Sequence, residues 1–226
     1  MKLYDQAIDN LRKVAQGTHR QEAIDASFLI ASVHDMRGDT ANAMSTYIEI
    51  ANRFPNDPRA AEALVRLAES MLKSNRRDKE EDARRTLTEL VRRYPESPLA
   101  PGALLTRGDL EARQGAYQRD EILGGSIPTA AVTYREVVQR YASSEAAGPA
   151  LSKLARIYTE EKRFELAAAT FEQLAMRDAD DRYDAWFAAG EIYETRLKDH
   201  ARASAAYSSV PPSSPHYADA QKRIAR

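Results

Sequence analysis

The sequence predicts an all-α fold, an α-solenoid of antiparallel helix pairs. Three observations carry this: one thirteen-residue phrase recurs six times, a second phrase alternates with it, and both space their apolar residues with the period of a helix. A repeat of this kind cannot bury its apolar face alone and must stack on its neighbours.

The first phrase reads AIDNLRKVAQGTH from Ala7, AMSTYIEIANRFP from Ala43, ARRTLTELVRRYP from Ala83, AAVTYREVVQRYA from Ala130, AAATFEQLAMRDA from Ala167 and ASAAYSSVPPSSP from Ala203. Its first column is always alanine. The fifth is Leu11, Tyr47, Leu87, Tyr134, Phe171 and Tyr207, and the eighth is Val14, Ile50, Leu90, Val137, Leu174 and Val210. Steps of four and three put these columns on one stripe of a helix, here named B. The alanine lets a neighbouring helix approach, and the larger residue one turn on grips it.

The second phrase, helix A, starts at Ala26, Ala63, Ala103, Ala150, Ala185 and Ala220. Its sixth column is small in every copy (Ala31, Ala68, Gly108, Ala155, Gly190, Ala225), which marks the closest approach of two backbones. Between the helices, Gly38 sits where an A helix should stop, and Asp39 or Thr40 can cap the helix that follows. Asp57 and Ser97 are cap residues followed by Pro58 and Pro98, at positions where a missing N–H costs nothing. RRDKEEDARR (76 to 85) reads as a solvated turn and helix start, with Asp78 and Glu81 placed for a capping box.

Composition narrows the function classes. With 33 basic and 34 acidic residues the net charge is −1, so no global field draws the surface to phosphate, and nucleic acid is not an expected partner. The absence of cysteine removes thiol catalysis, disulfides and thiolate metal sites together. No apolar run approaches the roughly 18 residues of a membrane span, so direct membrane insertion is not expected. The start, MKLYDQAIDNLRK, lacks the apolar core of a signal peptide.

Small or apolar A columns followed by alanine, aromatic, apolar and proline in helix B resemble the tetratricopeptide repeat, whose usual period is about 34 residues. The resemblance covers nearly the whole chain. It implies a right-handed superhelix whose A helices line a concave groove. The steps between successive B alanines are longer, at 36, 40, 47, 37 and 36 residues. Much of the surplus lies in two junctions, RFPNDPRAAEAL (53 to 64) and RYPESPLAPGALL (93 to 105). Their arginine-aromatic-proline signature is similar to the repeats of bacterial envelope proteins, notably the lipoprotein of the β-barrel assembly machinery and the Tol-associated periplasmic coordinator. That similarity implies a bacterial periplasm or envelope location, with the cytoplasm the other compartment the composition leaves open.

The departures carry information too. Arg107 occupies an otherwise apolar column, and the last two B helices lose the arginine-aromatic-proline ending, with Pro211 and Pro212 set to end the final one early. About ten extra residues fall within YQRDEILGGSIP (117 to 128), where Gly124, Gly125 and Pro128 predict an irregular loop. The expected organisation is a single solenoid over 1–226 of about five full pairs, with an unpaired leading B helix (about 4–17) and an unpaired trailing A helix (about 216–226). A leading B helix leaves an apolar face bare, and the chain therefore reads as an excised piece of a longer array.

Chemistry is sparse. His19, His34, His200 and His216 include no pair at helical ligand spacing and are read as surface or groove residues, His34 standing in a column filled elsewhere by Met71 and Tyr158. DADD (178 to 181) lacks the glycine and distant glutamate of a calcium loop, and Gly124-Gly125 lacks the lysine and hydroxyl of a phosphate loop. No catalytic residue, metal site or cofactor is expected, and the chain is read as non-enzymatic.

What remains is the groove that the resemblance implies. The column after the first core position is Phe28, Val65, Leu105, Ser152 and Phe187, apolar in four of five where a surface should be polar. One turn on come Ser32, Glu69, Asp109, Arg156 and Glu191, with Arg66, Arg113 and Lys153 nearby. None of these is asparagine, so the clamp with which some members of the family hold a chaperone's carboxylate tail is missing. The expected function is a protein-protein interaction scaffold that holds a protein or peptide segment in this groove and assembles a larger complex. The alternatives are structural self-association through the open end helices or the 117–128 insertion, and a recruiting arm of an enzyme whose catalytic domain lies outside these residues.

Overall fold

Each phrase of the repeat folds as a helix. The computed structural model describes residues 2–73, 77–177 and 184–225. In chain order its helices are α1 (Lys2–Ala15), α2 (Arg20–Met36), α3 (Thr40–Arg53), α4 (Arg59–Lys73), α5 (Arg77–Arg93), α6 (Ala100–Gln114), α7 (Thr129–Arg140), α8 (Ala147–Glu160), α9 (Phe164–Arg177), α10 (Ala185–Ile192), α11 (His200–Ser208) and α12 (Tyr217–Ile224). Odd numbers are B helices, even numbers A helices, and consecutive helices form antiparallel pairs. By packing, the chain divides into two compact units, Met1–Arg107 and Gly108–Arg226. The division falls inside α6, where the repeat pattern shows no break.

The B columns are the core. From α3 to α11 the first, fifth and eighth columns are all buried, none of them more than 9% exposed. In α1, Ile8 and Ala15 pack on Ala26 and Ile30 of α2, but Leu11 is half-buried and Val14 is 43% exposed. The small sixth column of helix A has a direct cause in the second unit. A Cβ built on Gly108 would lie 2.6 Å from the Tyr134 ring, and one on Gly190 would lie 2.5 Å from the Tyr207 ring. The two backbones come together there because the tyrosine lies flat across the glycine.

The arginine-aromatic-proline junction is a packing device. Arg53 donates to the carbonyl of Ala15 at 2.8 Å, Arg93 to Ala51 at 3.2 Å, and Arg177 to Ala142 and Ser144. Each arginine ends one B helix; Arg53 and Arg93 satisfy carbonyls in the last turn of the preceding B helix, groups with no partner inside their own helix, and Arg177 satisfies two in the turn just past α7. Arg53, Arg93 and Arg140 also lie over the rings of Phe54, Tyr94 and Tyr141 at 5.0 to 5.3 Å, and Tyr94 donates to the Pro55 carbonyl.

The turns bear out the caps at Asp39, Asp57 and Ser97, whose side chains accept from the N–H groups of Asn42, Arg59 and Leu99. Asp78 lies inside α5 rather than before it, and Glu81 turns to Arg84 and Arg85 instead of closing a box; the Arg84 bond, with that to Arg85, draws its carboxyl down to about 2. The A-to-B turns close on a left-handed residue: Gly38 in the first pair, Lys162 and Lys198 in later ones. Asp39 N–H donates to His34 and Arg163 N–H to Tyr158, whereas Asp199 N–H must reach back one residue further, to Tyr193. That extra residue is absorbed by a π turn over Tyr193–Leu197, which continues α10. α11 ends at Ser208, before the two prolines. The DADD stretch lies outside the described residues.

The 117–128 segment corrects the expectation of an irregular loop. Strands β1 (Tyr117–Arg119) and β2 (Ser126–Pro128) pair antiparallel, Tyr117 facing Pro128 and Gln118 facing Ile127. Ile127 is fully buried beneath them. Gly124 and Gly125 supply the left-handed backbone of the tip, and Thr129 N–H closes the base on the Ala116 carbonyl at 2.8 Å. Asp120 organises the turn: its carboxylate accepts from the N–H groups of Ile122 and Leu123 and pairs with Arg135 at 2.7 Å. Burial opposes its charge, yet the Leu123 N–H, the Arg135 guanidinium and the Ile122 N–H together outweigh burial and hold its carboxyl below the usual range. Tyr117 and Arg163 tie the hairpin down, to Glu161 and to the Leu123 and Gly124 carbonyls.

Candidate functional site

In the first unit the A helices α2 and α4 flank a cleft of about 680 Å³, with Tyr47 of α3 at its floor. Its apolar wall is Phe28, half-buried with its ring 6.3 Å from that of Tyr47, together with Leu29 and Met36, which are 54% and 68% exposed. Its rim is charged: Asp25 pairs with Arg59, while Arg66 reaches Glu69 at 3.3 Å and Glu62 at 3.8 Å. Phe28, Arg66 and Glu69 thus line one cleft, whereas Val65 is half-buried and does not line it. Leu29 and Met36 escaped the sequence reading, although the signal was present. They stand in columns that read Arg66, Thr106, Lys153, Ala188 and Lys73, Arg113, Glu160, Thr195 in the other repeats.

In the second unit a cleft of about 460 Å³ lies between α8 and α10, over Phe171 of α9, and Arg156 and Glu191 line it with Ile192 and Arg196. Other expected groove residues are taken up internally. Asp109 accepts from Tyr134 at 2.7 Å and from Lys153 at 2.6 Å; Glu191 is held by Arg223 at 2.9 Å. Leu105 is half-buried and Arg113 exposed.

Phe187 corrects the expectation of an exposed apolar side chain. It is only 8% exposed, packs 5.5 Å from Tyr207, stacks on His216 at 4.5 Å and lies under Arg223 of α12. The surface reading of His34 is corrected too, since it is buried with Nδ1 3.2 Å from Asp39 Oδ2.

A second set of interactions had no sequence forecast. Three B-helix tyrosines donate to a carboxylate of the preceding A helix: Tyr47 to Asp35 at 3.0 Å, Tyr134 to Asp109, and Tyr207 to Glu194 at 2.8 Å. Burial, reinforced by the carboxylate bond, pushes each phenol well above its ordinary range. Leu87 and Phe171 carry no hydroxyl, and the column that holds Asp35 and Glu194 reads Leu72 and Thr159 in their repeats. Glu111, buried in the column of His34, takes the Thr133 hydroxyl. The junction prolines form a third cleft in the first unit, about 660 Å³, walled by Pro55, Pro58, Tyr94, Pro98 and Leu99. Among the described residues no three His, Asp or Glu side chains gather as a metal site, and no helix is long and apolar enough to cross a membrane.

Two family models, each described as a tetratricopeptide repeat, match residues 25–57, 62–97 and 152–218, together more than half of the chain. The chain belongs to the tetratricopeptide repeat proteins. Such proteins are as a class non-catalytic scaffolds that bind proteins or peptides. No curated protein matches the sequence. Among solved structures this repeat protein is similar in fold to the MamA protein, at 16% identity over 88% of this chain and 96% of that one, with a TM-score of 0.56. It is also similar to BtubC from P. vanneervenii, at 15% identity over 99% and 89% with a TM-score of 0.54, and to YrrB, described as a tetratricopeptide repeat protein with an unusual peptide-binding site, at 13% over 99% and 98% with a TM-score of 0.53. At these identities the likeness is one of fold.

Proposed function

We propose that this tetratricopeptide repeat protein is a non-enzymatic scaffold that holds a segment of a partner protein against its A helices and so assembles a larger complex. The observation that carries this is the α2–α4 cleft, where Phe28, Leu29 and Met36 offer apolar surface inside a rim of mixed charge. Exposed apolar side chains rimmed by charge are what an amphipathic or extended segment needs, apolar anchors inward and charges outward. YrrB, alike in fold, is described as having a peptide-binding site. Phe28, Arg66 and Glu69 serve this cleft, while Arg156 and Glu191 serve its counterpart in the second unit; Val65, Leu105 and Arg113 flank the same columns. Asp109, Lys153 and Phe187 support the site from within their own packing. A periplasmic or envelope location rests on the junction signature alone, for which stapling of neighbouring B helices is reason enough.

Peptides selected from a random displayed library against the whole chain supply the test. Their amide shift perturbations should fall on residues 25–36 and 59–73, and Leu29→Asp with Met36→Asp should weaken binding at least tenfold with helicity unchanged. Selected peptides that map to other surfaces, or that bind the double variant as well as the parent, would sink the proposal.

A further inference from the structure

We infer, resting on the scaffold reading of the α2–α4 cleft, that its occupant is an amphipathic α-helix of a partner protein whose flank alternates acidic and basic residues at heptad spacing. The two walls of the cleft differ. On α2, Phe28, Leu29 and Met36 form the apolar wall, and the carboxylates among them are taken, Asp25 by Arg59 and Asp35 by Tyr47. On α4 the lining residues are Arg59, Glu62, Arg66, Glu69 and Lys73. Their steps of three, four, three and four make one stripe of the helix, and the sign of the charge changes at every step.

The packing of the repeat does not demand this ladder. The same columns read Leu99, Gly102, Thr106, Asp109 and Arg113 in the next A-helix phrase, and in no other A-helix phrase do they alternate in sign. Arg59 is tied to Asp25 and Asp57, so the rungs that face a partner run from Glu62 to Lys73. Arg66 lies 3.3 Å from Glu69 and 3.8 Å from Glu62, but all three side chains are about half exposed, where an ion pair contributes little. A partner's charges can therefore compete for them at small cost.

The spacing selects a helix over an extended chain. Glu62 and Glu69 stand seven residues apart, as do Arg66 and Lys73, so each sign recurs after about 10.5 Å of helix. Along one face of an extended segment side chains recur every ~6.6 Å, so a sign returns after about 6.6 or 13 Å and misses the ladder. A heptad helix repeats at about 10.5 Å and keeps step with every rung. Its apolar seam also meets Leu29 and Met36, themselves seven residues apart, while its flank meets α4 as flanking charges meet in a coiled coil. The apolar wall supplies affinity, and the ladder supplies register and choice of partner.

Library-selected peptides that map to the cleft are the probes. An isotope-labelled copy, bound to the whole chain, should show helical backbone shifts over about three turns, and a proline at its centre should weaken it roughly a hundredfold. Arg66→Glu with Glu69→Arg reverses two exposed rungs, keeps their mutual pair and should leave far-UV circular dichroism unchanged. It should weaken the parent's peptides roughly tenfold, and a peptide with its facing acidic and basic residues exchanged should recover most of that loss on the reversed chain. A cleft-bound peptide that is extended, or that binds the reversed chain as well as the parent, overturns the charged helix and leaves the scaffold reading standing. Loss without recovery by the exchanged peptide overturns it as well, because the charges would then act only within α4. Peptides that bind only elsewhere end both readings.

Discussion

Replacing Gly190 by alanine puts two effects of known size in opposition. An alanine inside a helix is favoured over glycine by roughly 0.5–1 kcal/mol, so on propensity alone the substitution stabilises. The added Cβ, however, would stand 2.5, 2.6 and 3.0 Å from three ring carbons of Tyr207. That ring has little freedom to retreat. It is 1% exposed, its hydroxyl is held by Glu194 and Arg223, and Phe187 packs 5.5 Å away. Overpacking of this kind costs about 1–3 kcal/mol. Ala31 stands in the same column opposite Tyr47, which shows that a helix pair can open far enough for a methyl group and argues for the lower half of that range. The net expectation is a loss of about 1 kcal/mol, a factor of about five in the folding equilibrium. Gly102, helical and with nothing within 4 Å of its would-be Cβ, is the control and should gain up to ~0.5–1 kcal/mol on becoming alanine. Denaturant unfolding followed by far-UV circular dichroism measures both, at an unchanged slope. A Gly190→Ala chain as stable as Gly102→Ala would refute the steric account of the small column.

Lys198, at a φ of 57°, should stabilise the second unit by ~0.5–1 kcal/mol when replaced by glycine, since left-handed backbone costs an L residue roughly 1–2 kcal/mol and glycine returns part of that as chain entropy; a lowered thermal midpoint would contradict it. Arg53→Ala removes both the bond to the Ala15 carbonyl and the cation over Phe54, and should cost about 1–2 kcal/mol, read as faster amide exchange in the last turn of α1. Asp120 has a depressed folded value, so its contribution is complete above its ordinary value of 3.8 and is lost as pH falls through the lower folded value. Hairpin amides should therefore lose exchange protection below about pH 4, while Asp120→Asn should remove that pH step; a step that persists in the variant would assign it to another group.

The core was legible because it is periodic. Alanine and aromatic columns recur with the helix, and each copy tests the others, so the helices and the caps at Asp39, Asp57 and Ser97 could be placed by comparison within one chain. The groove was legible only in part, for two physical reasons. A column says which way a side chain leaves its helix and nothing about what arrives from elsewhere. Phe187 is covered because His216 and Arg223 reach it from the last helix, and Asp109 and Glu191 are occupied by Tyr134, Lys153 and Arg223. The hairpin is not legible because Gly124, Gly125 and Pro128 signal a loop without saying that its two sides pair. The residue that builds the turn, Asp120, acts through backbone N–H groups that no pattern of side chains displays.

The repeat absorbs surplus residues in two ways. One extra residue disappears into the π turn after α10, and about ten disappear into a hairpin whose base is closed by the hydrogen bond from Thr129 to Ala116. In both places helix A still meets the B helix that follows at its small column: Tyr134 lies across Gly108, and Tyr207 across Gly190. Repeat length is thus buffered from repeat packing. Insertions at A-to-B turns can vary while the small-column contact between the two helices is kept, so these turns are the positions at which such an array can take on new surface.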